Sequence, residues 1–141
     1  MTAEPILLLD THVWLWLADA GPQRLKPSAL RAIEAAGARG ALRISVISVW
    51  EIAMLQNKGR LALTMDVREW TRRALDRADF ELLGIDMDVA IESCRLPGTV
   101  HADPADRFLL ATARLQKLTL VTRDERLLSY SRLGHVQALV A

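Results

Sequence analysis

The sequence predicts a single α/β domain, residues 1–141, built on a central parallel sheet of four to five strands with helices on both faces. Short apolar runs alternate with longer helical segments along the chain, which is the order that βαβ units produce. The first run, residues 5–9, is almost wholly apolar, as expected for a strand buried on both faces. A length of 141 residues is enough for one domain with a sizeable core.

The first half of the chain supplies two predicted strands and three predicted helices. The strands span residues 5–9 and 41–46, and the helices span residues 11–18, 26–36 and 49–58. Ser48 suits the N-cap of the third helix, because its hydroxyl can accept from a free backbone N–H. Glu51 then follows at the third position after the cap, which is the S-x-x-E pattern of a capping box.

The second half supplies the remaining strands and a helix that should be buried. The predicted strands span residues 80–85, 118–122 and 136–140, and the predicted helices span residues 65–78, 86–96, 104–116 and 125–130. Pro104 fits the first position of the helix over 104–116, where its missing N–H costs nothing. Asp103 falls at the N-cap and Asp106 at the third position, and the residues beyond are mostly small and apolar.

Composition excludes several classes of protein. Hydrophobic residues make up 51% and charged residues 25%, and the formal net charge of +1 neither favours nor opposes binding to nucleic acid. No apolar run is long enough to cross a bilayer, and the first residues lack the features of a signal peptide. The single cysteine, Cys94, cannot form an internal disulfide, so we expect a buried thiol and a cytoplasmic protein.

Four carboxylates are predicted to meet at one edge of the sheet. Asp10 follows strand one, Glu51 begins the helix after strand two, Asp106 begins the helix before strand four, and Asp124 follows strand four. Ligands of open parallel sheets bind at the carboxyl ends of the strands. Carboxylates that meet without neighbouring Lys or Arg repel unless a cation neutralises them. Oxygen ligands without Cys or a second His favour Mg²⁺ or Mn²⁺ over Zn²⁺.

Each acid also has a purely structural explanation. Asp10 could be an ordinary polar strand end, Glu51 a capping-box residue and Asp124 the N-cap of the last helix. Asp106 could stabilise its helix through the macrodipole. Capping and metal binding are compatible, so these explanations do not exclude a catalytic role.

The acids stand in four segments, which are Leu-Leu-Leu-Asp10-Thr-His-Val-Trp, Ser-Val-Trp-Glu51-Ile-Ala, His101-x-Asp-Pro-x-Asp106-Arg-x-Leu-x-Ala and Leu-Val-Thr-Arg-Asp124. Together these segments resemble the PIN-domain ribonucleases, and most closely the VapC-type toxins of bacterial toxin–antitoxin pairs. The resemblance places the catalytic, metal-binding quartet of the family on Asp10, Glu51, Asp106 and Asp124. Asp103 is an additional acid of this subgroup, either a helix cap or an outer-shell residue.

The resemblance implies a Mg²⁺- or Mn²⁺-dependent endoribonuclease that hydrolyses RNA phosphodiesters with metal-activated water and leaves 5′-phosphate and 3′-hydroxyl ends. It also implies a homodimer and a cognate antitoxin that plugs the site. A non-catalytic RNA- or protein-binding module is the main alternative. An aspartate-nucleophile phosphatase is disfavoured because His12 stands where its second Asp is expected, and Thr11 and Arg123 do not fit a phospho-acceptor receiver domain.

Several polar residues near the acids have open roles. Thr11 and Thr122 could position water or phosphate, or could be ordinary turn residues. His12 and His101 could act as acid–base groups, although a metal ion that activates water removes the need for a histidine base.

Aromatic and basic residues near the acids could contact RNA. Trp14 and Trp50 could line the cleft or stack on a base, but burial in the core or a dimer interface is the favoured interpretation. Phosphate contacts are possible, against a default of solvated charge, for Lys58, Arg60 and Arg107.

Overall fold

The computed structural model describes residues 4–77, 80–100 and 102–141, and it confirms the predicted α/β fold. Its parallel sheet has the order β3-β2-β1-β4-β5. The strands are β1 (Leu7–Leu9), β2 (Leu42–Ser45), β3 (Glu81–Leu83), β4 (Thr119–Thr122) and β5 (Gln137–Val140).

Helices connect the strands and cover both faces of the sheet. They are α1 (Thr11–Leu15), α2 (Pro27–Ala38), α3 (Val46–Asn57), α4 (Val67–Asp76), α5 (Met87–Cys94), α6 (Pro104–Gln116) and α7 (Glu125–Arg132). A π-helical turn, Trp16–Ala20, continues α1, and a 3₁₀ turn, Pro22–Arg24, follows it. None of these helices is long and apolar enough to cross a membrane.

Strand β1 lies in the middle of the sheet, and its successive side chains enter two different cores. Leu7 and Leu9 pack in a core with residues of α1, α2 and α4. Leu8 packs on the opposite face with residues of α5, α6 and α7. Because strand side chains alternate between faces, a strand covered on both sides must be apolar throughout, which explains the Leu-Leu-Leu run.

The order of the strands in the sheet switches sides between β1 and β4. From β1 the chain moves to β2 and β3 on one side, whereas β4 pairs with β1 and leads to β5 on the other. A crevice forms at the carboxyl ends of strands where such a switch occurs. Asp10 and Asp124 leave β1 and β4 at this point, so the topology brings their backbones together.

Helix α3 begins three residues earlier than the sequence predicts. Ser45 is the N-cap, and its Oγ accepts from the backbone N of Ile47 at 3.1 Å. The predicted cap at Ser48, and with it the capping-box role of Glu51, is therefore wrong. Val46 and Ile47 are β-branched, so they look like the end of a strand, but the chain passes from β2 into α3 without a loop. Glu51 consequently lies in the second turn, and its side chain does not cap.

Cys94 is exposed, so the prediction of a buried thiol is also wrong. It is the last residue of α5, and its neighbour Ser93 takes the inward position. Apolar spacing did not indicate which of these two small residues faces the core.

Helix α6 has the predicted bounds and cap. Asp103 Oδ1 accepts from the backbone N of Asp106 at 3.0 Å, and Pro104 occupies the first turn. Leu109 and Leu110 are fully buried. The helix therefore begins at the carboxyl edge of the sheet and runs back beneath it, which places Asp106 in the crevice.

Candidate active site

A cavity of about 340 Å³ lies at the carboxyl edge of the sheet, and acidic residues dominate its polar lining. All five acids singled out in the sequence line it: Asp10, Glu51, Asp103, Asp106 and Asp124. The other lining residues are His12, Val13, Trp16, Arg123 and Arg126. A larger cavity, of about 600 Å³, lies between α1, α2 and α4 and is lined mostly by apolar side chains, so volume alone does not identify the site.

Asp10 is fixed in place by two threonines. Its Oδ1 accepts from the backbone N of Thr11 at 2.7 Å, and its Oδ2 accepts from Thr122 Oγ1 at 2.7 Å. Thr122 Oγ1 also accepts from the backbone N of Asp124 at 3.0 Å, so one hydroxyl links the ends of β1 and β4. Burial raises the pKa of Asp10, and these hydrogen bonds only partly oppose the shift.

Glu51 reaches the cavity from the second turn of α3. The Thr11 hydroxyl donates to Glu51 Oε1 at 2.7 Å and lies 2.8 Å from Ser48 Oγ. Burial raises the pKa of Glu51, and the charge of Asp10 adds to the effect. Thr11 and Thr122 therefore orient carboxylates, which is a role that the sequence left open.

Asp106 is largely buried among the other acids of the cavity. Its side chain is 10% exposed. Burial, followed by repulsion from the other four acids, raises the pKa of Asp106 to about 8. At neutral pH its carboxyl group therefore carries a proton when no cation is bound.

Arg126 contacts two of the acids and was missed in the sequence. Its Nη2 lies 3.1 Å from Asp124 Oδ2 and 3.9 Å from Asp106 Oδ2. Partial burial of Asp124 favours the neutral acid, but hydrogen bonds from the Arg126 side chain and backbone outweigh it, so the pKa of Asp124 is lowered. Asp106 and Asp124 therefore do not meet without a neighbouring Arg. The available signal was the position of Arg126 two residues after an acid that caps a helix.

The donor set fits a hard divalent cation. All the strong ligands are carboxylate oxygens, and burial, with repulsion between the acids as a smaller cause, raises the pKa values of Asp10, Glu51 and Asp106. Within the described ranges, no three His, Cys, Asp or Glu side chains stand close enough to hold a metal ion as placed. Binding would therefore require the side chains to turn toward one another, with Asp124 leaving Arg126.

One wall of the cavity combines an aromatic ring with positive charge. The Arg123 guanidinium lies 4.8 Å from the centroid of the half-buried Trp16 ring, and that of Arg24 lies 6.0 Å away. Arg123 is held by donating to the backbone oxygens of Ala141, at 3.2 Å, and of Arg24. The exposed ring of His12 is 6.1 Å from Trp16. Sequence reasoning singled out Trp14 and Trp50, whereas Trp16 lines the cavity one helical turn after His12.

The remaining residues singled out in the sequence do not line this cavity. Trp14 is buried edge-on against Trp70, with ring centroids 5.2 Å apart, whereas Trp50 is 54% exposed elsewhere on α3. Arg107 donates to the backbone oxygens of Ser93 and Val100, which is a structural role. Lys58 and Arg60 are exposed beyond the end of α3. His101 lies outside the described residues.

Known proteins with similar sequences and folds were identified by comparison. A model of the PIN domain matches residues 7–133. Ribonuclease VapC22 of Mycobacterium tuberculosis is 38% identical over 124 residues, which are 88% of this chain and 91% of that protein.

Solved structures show the same fold. VapBC2 from Rickettsia felis, bound to a DNA fragment from its promoter, has a TM-score of 0.68 and 15% identity, with 96% of this chain and 98% of that chain covered. A toxin–antitoxin complex from Klebsiella pneumoniae has a TM-score of 0.55 and 26% identity, with 84% and 86% covered. The family match, the identity to a ribonuclease and the acidic cavity agree: this chain belongs to the PIN-domain family, among the VapC ribonucleases.

Proposed function

We propose that Asp10, Glu51, Asp106 and Asp124 bind a divalent cation and that the chain cleaves RNA at this site as the toxin of a toxin–antitoxin pair. The observation that carries the proposal is the acidic cavity at the switch point, where burial and then repulsion from the other acids raise the pKa of Asp106 to about 8. The chain is an endoribonuclease of the VapC type by family. Mg²⁺ is the proposed physiological ion, with Mn²⁺ as a substitute.

The protein supplies positioned oxygen ligands and a place for the substrate. When bound, a divalent cation would activate water, polarise the scissile phosphate and offset its developing charge. Asp106 would release its proton on cation binding, because a nearby positive charge favours the carboxylate. Thr11 and Thr122 hold the carboxylates of Glu51 and Asp10, so those ligands lose less rotamer freedom on binding. Asp103 caps α6 and adds charge at the rim.

The wall formed by Trp16 and Arg123 is the proposed contact for the RNA strand. RNA would be repelled by five acids, so its approach needs positive charge and an aromatic surface beside them. Stacking of bases on aromatic rings tolerates any base, and guanidinium groups attract phosphate. The arrangement favours an unpaired nucleotide next to the scissile phosphate.

We further propose that the chain binds a cognate antitoxin, forms a homodimer and acts in the cytoplasm. The Klebsiella relative is described as a toxin–antitoxin complex, and an acidic cavity suits a basic side chain from such a partner. The homodimer is to be measured by light scattering, and the cytoplasm is where RNA targets are found.

A binding module without catalysis is the second candidate. It is favoured by one observation, namely that no three described metal-ligating side chains are yet close enough to hold an ion. It predicts RNA binding without cleavage under any metal.

Cleavage of an RNA panel tests the proposed function. Purified protein is incubated with tRNAs, ribosomal RNA fragments and mRNA in Mg²⁺, Mn²⁺ or EDTA. We expect cuts in both metals and none in EDTA, with 5′-phosphate and 3′-hydroxyl ends because water is the nucleophile. Cleavage that continues in EDTA, or ends carrying a 2′,3′-cyclic phosphate, would contradict the proposal.

A further inference from the structure

Arg126 places its guanidinium against the carboxylates proposed as ligands. Its Nη2 lies 3.1 Å from Asp124 Oδ2 and 3.9 Å from Asp106 Oδ2, and its Nε lies 3.4 Å from Asp124 Oδ1. Among the described residues, no other Lys or Arg forms an ion pair with an acid of the cavity. Arg126 therefore supplies the closest counter-charge to Asp124 in the absence of a metal.

The backbone of α7 does not depend on this ion pair. Asp124 caps the helix through Oδ1, which accepts from the backbone N of Arg126 at 2.8 Å, whereas the closest guanidinium contact is to Oδ2. The Arg126 side chain is 58% exposed. It can thus swing into solvent and release Oδ2 while the helix start stays intact.

We propose that Arg126 is an internal counter-ion that competes with the divalent cation for Asp124, beside Asp106, and so sets the metal concentration at which the site fills. This inference rests on the proposed metal site and adds a residue that limits its occupancy. The two cations compete because they need the same carboxylate oxygens and repel each other at these distances. Removing the charge of Arg126 should therefore strengthen metal binding.

Calorimetric titration of Mn²⁺ at pH 8 and constant ionic strength tests the competition. We expect Arg126→Gln to bind Mn²⁺ roughly three- to tenfold more tightly than the unmodified chain, given the partial solvent screening of an exposed arginine. Arg126→Lys keeps the charge and should stay closer to the unmodified affinity. Arg132→Gln is the matched control, since Arg132 lies on the same helix, is 61% exposed and pairs with Glu125 instead.

Thermal unfolding gives a second readout that separates competition from a purely structural role. Without metal, Arg126→Gln should lower the Tm by about 1–3 °C, because the acids lose their counter-charge. In saturating Mn²⁺ this difference should vanish. A Tm loss that persists in Mn²⁺, together with unchanged affinity, would show that Arg126 only stabilises the fold and would overturn the inference.

The possible failures are distinguishable. If the unmodified chain binds Mn²⁺ and Arg126→Gln binds it equally or more weakly, the competition is wrong and the proposed metal site survives. If neither protein binds Mn²⁺, both proposals fail. Binding that is detected only after Arg126→Gln would support the competition in its strongest form.

Discussion

Two groups of helix starts use the same capping chemistry in very different surroundings. Aspartate is the N-cap of five described helices: Asp10, Asp66, Asp86, Asp103 and Asp124. Asp66 and Asp86 are exposed and accept only from the backbone of their own helices, at 3.0 and 2.9 Å. The other three open on one cavity, together with Glu51 and Asp106.

The difference shows that an acid at a helix start indicates a functional site only when the topology brings several such helix starts together. A cap satisfies free backbone N–H groups wherever it occurs. At the switch point between β1 and β4, however, several helix starts meet, and Asp106 is buried among like charges. The excess of negative charge there, rather than capping, distinguishes the cavity from the starts of α4 and α5.

The largest expected effect is on catalysis by Asp106. We expect Asp106→Asn to reduce RNA cleavage on the order of a thousandfold, because a neutral amide is a poor ligand for the proposed cation. Asp86→Asn is the matched control, since it makes the same change at an exposed cap and should leave the rate unchanged. Initial rates on one RNA substrate measure both. Equal activity of the two variants would contradict the distinction between the acids of the cavity and the exposed helix caps.

The second effect is on the pH dependence of stability without metal. The folded pKa of Asp106, about 8, lies above its ordinary value of 3.8, so the folded protein keeps a proton that the unfolded chain loses. Stability from this group is therefore full at low pH and declines as the pH rises toward 8.

Asp106→Asn removes this decline because asparagine does not ionise. We compare the free energy of unfolding of Asp106→Asn with that of the unmodified chain. As the pH is raised from 5 to 8, we expect this difference to shift in favour of the variant by roughly 2–4 kcal/mol. Urea unfolding in EDTA at several pH values measures the difference. Parallel pH curves for the two proteins would show that Asp106 is not perturbed, and Asp86→Asn should follow the unmodified chain.

The third effect separates two fully buried threonines. Thr122→Val removes the hydroxyl that donates to Asp10 and should reduce cleavage about 10- to 100-fold by freeing a ligand. Thr112→Val is the control, because Thr112 Oγ1 donates to the backbone oxygen of Phe108 within α6 at 2.8 Å. It should change stability but not the cleavage rate. Equal losses of activity would indicate that Thr122 acts through the fold.

The smallest effect concerns the exposed caps. Asp66→Ala and Asp86→Ala should each lower the free energy of unfolding by about 1 kcal/mol through loss of a cap. Neither should change Mn²⁺ affinity, which calorimetry can follow. A change in affinity at either position would mean that charge far from the cavity controls the site, so the exposed caps would not differ in function from the caps in the cavity.

Much of the fold follows from local patterns in the sequence. The buried strand at β1 is visible as three leucines, and the cap of α6 as Asp103 followed by Pro104. These features depend on neighbours within a few residues, which a single sequence contains. The meeting of the acids follows as well, because the carboxyl ends of parallel strands share an edge.

The errors arise where tertiary contacts override local patterns. The start of α3 at Val46 joins a strand to a helix without a turn residue, so Ser48 looked like the cap. Arg126 reaches the cavity through the direction of its side chain, for which the sequence has no spacing signal, and the charge balance of the site depends on it. Trp16 lies one helical turn after His12, so its spacing was available in the sequence.

Proton release on metal binding tests the central claim most directly. Mn²⁺ is titrated calorimetrically at pH 7 into the unmodified chain, Asp106→Asn and Asp86→Asn, each in two buffers with different ionisation enthalpies. The unmodified chain and Asp86→Asn should bind Mn²⁺ and release close to one proton, because Asp106, with a pKa of about 8, must ionise. Asp106→Asn should bind at least about tenfold more weakly and release almost none. Equal affinity and equal proton release in all three proteins would show that Asp106 is only a helix-start acid and that the cation site lies elsewhere.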